Sequence, residues 1–180
     1  GSYGSGGGFL LALEGEGGHA TVAPATPRET RLAQKLQERF GHASLERVLS
    51  GPGLVWSYEA LAALDGLPVP AGLTPAEVVR RAEARASTHT NLSADPSSAP
   101  SADPLAAEVL DIFFASLGSA AGNLALTLGA RGGVYVGGGI VPRLADEIAR
   151  SAFRRRFEDK GRLRRYLEAI PVYLITSAES

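Results

Sequence analysis

The stretch Gly132-Gly133-Val134-Tyr135-Val136-Gly137-Gly138-Gly139-Ile140-Val141-Pro142 decides how this sequence is read. Three apolar or aromatic residues between glycines form a short strand. The glycines after it turn the chain, and Pro142 suits the first position of a following helix. Such strand-glycine-helix junctions are where α/β sheets place nucleotides, because the bare backbone approaches a base or phosphate closely. The spacing matches neither the dinucleotide fingerprint nor a Walker loop. Close packing of helix on strand explains the same glycines without a ligand.

Working outward, capped helices alternate with strands. Thr26-Pro27-Arg28-Glu29 opens a helix over 27–40 that stops at Gly41. Ser44 is expected to cap a short helix to Leu49, stopped by Ser50-Gly51-Pro52-Gly53, with another helix over 54–64. Thr74-Pro75-Ala76-Glu77 opens a helix to about Ala86, and Asp103-Pro104 a long one to about Leu128. A basic helical stretch begins at Ala152, and Val172 to Ile175 is a last strand. Phe9 to Leu13 reads as a first buried strand. The segment 87–103, rich in Ser, Ala, Pro, Thr and Asp, is expected as a flexible loop. The pattern predicts one α/β domain over residues 1–180.

The 180 residues, 44% hydrophobic and 21% charged, suffice for one globular core. A net charge of −1 gives no general attraction to nucleic acid or to an anionic membrane. No cysteine is present, which excludes disulfides, thiolate nucleophiles and cysteine-held zinc. No signal peptide and no apolar run of spanning length is read, so a soluble, cytoplasmic protein without a membrane partner is expected. There is also no methionine, so the chain is expected to lack its natural start, and the glycine-rich opening could be a linker.

Two further clusters carry chemistry. In Glu16-Gly17-Gly18-His19 the glycines remove bulk and permit positive φ, letting a carboxylate and an imidazole approach one polyol. A surface turn accounts for the same residues. In Glu46-Arg47-Val48-Leu49-Ser50-Gly51-Pro52-Gly53 the acidic residue early in a helix is also favoured by the helix dipole.

Taken in order, these clusters resemble the bacterial glucokinase family of the hexokinase/actin-like ATPase superfamily. Gly122 to Leu126, Phe157 to Arg162 and Ile170 to Ile175 add further matches, and the likeness runs from about Gly4 to Ile175. The resemblance implies the large domain of an RNase H-like/actin-like ATPase fold, a mixed sheet flanked by helices, truncated at both ends. It implies ATP-dependent phosphorylation of glucose in glycolysis, with Mg²⁺ on the phosphates. Glu16, His19 and Glu46 would bind sugar hydroxyls. Gly137, Gly138 and Gly139 would border the adenosine. Gly4, Ser5 and Gly6 would form the second phosphate loop, with Ser5 in place of the usual Thr.

The catalytic base, an Asp of an Asn-Asp pair, and the first phosphate loop would lie on an absent N-terminal small domain. No catalytic residue and no metal ligand is therefore assigned within the chain. Two departures stand out: the stretch Gly8 to Glu16 is shorter than the usual hairpin, and Ala20-Thr21-Val22 replaces an acidic-aromatic pair. A homodimer is among the expected assemblies, because missing ends would expose apolar surface. The alternatives are a non-catalytic sugar- or nucleotide-binding module, and nucleic-acid binding through the basic run from Arg154 to Arg165. Glu158 and Asp159 interrupt that run, which favours a solvated helix face.

Overall fold

The computed structural model describes residues 15–87, 103–140 and 145–175. The expected strand over 9–13 and the expected flexible loop beyond Ser87 therefore lie outside the described residues, as do Gly4, Ser5 and Gly6. Among the described residues seven α-helices and two strands follow one another: α1 (Pro27–Phe40), α2 (Gly51–Asp65), α3 (Pro75–Ser87), α4 (Pro104–Leu128), β1 (Val134–Val136), α5 (Ala145–Arg150), α6 (Phe153–Glu158), α7 (Arg164–Glu168) and β2 (Val172–Leu174). Among the described residues the sheet is a parallel pair, Val134 opposite Val172 and Val136 opposite Leu174. A mixed sheet would need strands beyond these two.

Local chemistry sets the helix ends. The Thr26 hydroxyl accepts from the Glu29 amide at 3.1 Å, and Asp103 accepts from the Leu105 and Ala106 amides at 3.0 and 3.1 Å. Gly41, Gly66 and Gly129 close α1, α2 and α4 in the left-handed conformation. Two expectations fail here. Ser44 starts no helix, because its backbone pairs in an antiparallel bridge with Thr21. Ser50-Gly51-Pro52-Gly53 is a helix start and not a stop: the Ser50 hydroxyl accepts from the Gly53 amide at 3.0 Å and Pro52 occupies the first turn. The basic run is also two helices, broken at Gly161 with φ 56°.

Helix α4 is the spine of the core. Contrary to the expectation that no apolar run of spanning length is present, it has the length and apolarity of a membrane span. Here its Leu105, Val109, Ile112, Phe113 and Ala125 are buried among α2, α3 and α6. Its contact with α6 is backbone to backbone. A Cβ on Gly118 would lie 2.2 Å from the Phe153 carbonyl oxygen, and one on Gly122 would lie 2.4 Å from that of Phe157.

A buried ion pair crosses this core. The Arg156 guanidinium donates to both Glu29 carboxylate oxygens at 2.8 and 3.0 Å and to the Ser119 hydroxyl at 3.0 Å. Glu29 also accepts from the Ala25 amide at 2.7 Å. Burial pushes the Glu29 carboxyl up, but these N–H donors outweigh it and hold its pKa below the ordinary value. Three more members of the basic run are similarly engaged: Arg154 binds the carbonyls of Ile170 and Glu168, Arg164 binds Glu168, and Lys160 donates to the Ser119 carbonyl.

Candidate functional site

The loop from Gly15 to Ala20 is built by backbone bonds. Its core is a 3₁₀ turn over Gly17–His19, closed by the His19 amide on the Glu16 carbonyl (2.9 Å) and the Ala20 amide on the Gly17 carbonyl (3.1 Å). The chain then runs antiparallel to residues 43–46. The Val22 amide donates to Ala43, the Leu45 amide to Ala20 and the Glu46 amide to Gly18, at 2.8–2.9 Å. Two segments separated by more than twenty residues are thereby zipped edge to edge.

That pairing brings Glu16, His19 and Glu46 together. The His19 Nε2 lies 3.9 Å from Glu16 Oε2 and 3.7 Å from Glu46 Oε2. Both separations exceed a direct hydrogen bond, and a hydroxyl set in front of the groups, to one side of the line joining them, reaches both. All three side chains are more than half exposed, so the cluster is open to solvent on one side. The expected positive φ at its glycines is absent: neither Gly17 nor Gly18 is left-handed. Nothing lies within 4 Å of a Cβ built on Gly17, and one on Gly18 would meet the Glu46 Cβ at an ordinary 3.7 Å. The two glycines therefore leave room in front of the carboxylates and are not needed to bend the chain.

The second half of the site follows β1. Gly138 has φ 114°, which only glycine adopts without strain, so the chain turns sharply at the carboxyl end of the parallel strands. A Cβ on Gly137 would press on the Ile175 side chain at 3.2 Å, whereas Gly139 faces open space. Cavities lie on both sides of this turn. One of about 510 Å³ is shared by Gly17, Ala20–Ala23, Leu45 and the β1 residues through Gly137, so the acidic loop and the glycine turn border one space. Its walls are mostly apolar, with Asn123, Tyr135 and several hydroxyl side chains among them, and Glu16, His19 and Glu46 do not line it. The other cavity, about 570 Å³, is lined by Gly139 and Ile140 with Leu54, Thr74, Pro75, Val79, Arg80 and Glu83. Desolvation, with the Glu147 carboxylate nearby, raises the Glu83 pKa above the ordinary value.

The residues of α2 and α3 around that second cavity had no sequence signal. They stand more than fifty residues from the glycines they face, and only the helix packing joins them.

A family model described as glucokinase matches residues 4–180. The chain is 58% identical over 167 residues to a glucokinase from Chromobacterium violaceum, covering 93% of this chain and 43% of that relative. A crystal structure of glucokinase from an Antarctic psychrotroph matches with a TM-score of 0.76 and 35% identity, over 92% of this chain and 46% of that one. Glucokinase from Balamuthia mandrillaris, solved in complex with glucose, has a TM-score of 0.71 at 21% identity, over 93% and 44%, and shares the fold. The architecture is therefore that of an α/β kinase. The chain belongs to the glucokinase family. It spans less than half the length of these relatives.

Proposed function

We propose that this chain is the sugar- and adenosine-binding large domain of an ATP-dependent glucokinase with an RNase H-like/actin-like ATPase fold, working in the cytoplasm. The observation that carries the reading is the convergence of Glu16, His19 and Glu46 at 3.7–3.9 Å spacing. Two carboxylates accept from sugar hydroxyls while the imidazole donates or accepts, so one hexose satisfies all three. A site that pairs each hydroxyl also rejects analogues lacking one, whose absence leaves a polar group unmatched.

ATP is assigned to the glycine turn after β1. The cavity next to Gly139 has room for a nucleoside, and the open face of that glycine lets a flat base lie against the backbone. When bound, Mg²⁺-ATP supplies the γ-phosphoryl group that passes in line to the 6-hydroxyl of glucose. The work of this chain is to hold the two substrates: Glu16, His19 and Glu46 orient the sugar, and the glycine turn seats the adenosine. None of the described residues is assigned to Mg²⁺, and the base that takes the hydroxyl proton belongs to the remainder of a whole glucokinase.

Isothermal titration of glucose into the chain tests this. Saturable binding that is lost in both Glu16→Ala and Glu46→Ala is expected, since each leaves the remaining groups of the cluster without a shared ligand. A folded wild-type sample that takes up no glucose would overturn the assignment. Fusing a complete small domain to the chain should restore ADP production; sugar binding without any ADP would mean a binding module and not an enzyme.

A further inference from the structure

The Glu46 carboxylate has no hydrogen-bond donor among the described residues; the His19 imidazole stands 3.7 Å away. Its place is set by the backbone turn that carries it. On one side that turn is tied to the acidic loop through the Glu46 amide and the Gly18 carbonyl. What fixes the other side is the next residue. The guanidinium carbon of Arg47 stands 4.2 Å from the centre of the Phe40 ring and 4.9 Å from that of Trp56, and the two rings pack at 4.7 Å. Among the described residues Arg47 has no carboxylate partner; the aromatic pair, from the end of α1 and the first turns of α2, is what holds it. Directly behind, the Arg47 and Val48 backbone lies so close to α2 that a Cβ on Gly53 would come within 2.9 Å of it.

We infer that Arg47 is a positioning residue: its stacking on Phe40 and Trp56 clamps the turn that presents Glu46, and so sets sugar affinity without touching the sugar. This rests on the reading of Glu16, His19 and Glu46 as the sugar site. Because Trp56 is the chain's one tryptophan and lies against Arg47, its emission reports on the turn directly.

The test is glucose titration of the 180-residue chain, followed by calorimetry and by Trp56 fluorescence, at a temperature where circular dichroism shows every variant folded. Arg47→Gln should weaken glucose binding about tenfold, the loss expected for a cation–π contact of ordinary strength, and abolish the glucose-dependent change in emission. Arg47→Lys keeps a cation over the rings and should recover part of the affinity, whereas Arg47→Met should not. Arg39→Gln is the control. Arg39 also lies over Phe40, at 5.1 Å, and pairs with Glu59, but it does not adjoin Glu46, so affinity should stay at the wild-type value.

Folded Arg47→Gln that binds glucose like wild type overturns the inference and leaves the sugar site standing. Equal losses in the Arg39 and Arg47 variants overturn it too, since they would mean general loosening. If wild type binds no glucose, the sugar-site reading falls and takes this inference with it.

Discussion

Replacing Arg156 with Met removes three N–H donors from a place water does not reach. Both Arg156 and Glu29 side chains are 8% exposed, and the pair is joined by two bonds of 2.8 and 3.0 Å. After the change, the Glu29 carboxylate keeps the Ala25 amide at 2.7 Å and the nearby Thr26 hydroxyl but is a buried charge without a counter-charge. Breaking a buried pair in this one-sided way costs about 3–5 kcal/mol. For a chain of this size that lowers the melting midpoint by about 6–20 °C. The pH dependence follows from the sign of the shift. In the wild type, Glu29 sits below its ordinary pKa, so its stabilisation is present above the unfolded value and is lost as pH falls through the folded one. Without Arg156 the burial effect, the largest influence on Glu29, is opposed only by Ala25 and Thr26 and should raise its pKa, so the penalty is relieved as pH falls. The stability gap between the two proteins should therefore be widest near neutrality and narrow steadily toward about pH 4. Urea unfolding followed at 222 nm at several pH values measures it. A gap under about 1 kcal/mol at neutral pH, or one that does not change with pH, would refute the reasoning.

Gly118→Ala should destabilise by about 2 kcal/mol, because the clash with the Phe153 carbonyl oxygen outweighs alanine's better helix propensity. A variant as stable as wild type would show that α6 does not lie on α4 in this way. Ser57 is the converse case: its hydroxyl is buried without a partner among the described residues, so Ser57→Ala should be neutral or gain up to about 1 kcal/mol. A loss larger than that in urea titrations would reveal a bond the structure does not contain.

How much of this was legible beforehand depends on the range of the interactions involved. The starts of α1, α3 and α4 were readable because Thr26, Thr74 and Asp103 act on amides two or three residues away. The start of α2 was missed for a tertiary reason. Gly51 and Gly53 look like helix breakers, yet Gly53 is small because the Arg47 backbone occupies the space its side chain would need. Ser44 failed as a cap because its backbone pairs with Thr21, from a segment more than twenty residues earlier. Glu29 was read as half of a local capping box, but it bonds Ala25 and an arginine 127 residues away. At the site, the trio of Glu16, His19 and Glu46 was visible as two short motifs. Their edge-to-edge pairing, the Arg47 stack and the α3 wall beside Gly139 were not, because each joins residues that only the packing makes neighbours.

The notch made by Gly118 and Gly122 has a consequence for the segment between α4 and α6. With α6 keyed into the spine at two successive turns, it can neither slide along α4 nor rotate against it without a backbone collision. Helices α4 and α6, one before β1 and one after it, are thereby locked as a single block. The glycine turn that follows β1 is thus mounted on a foundation that holds its place whatever settles against it.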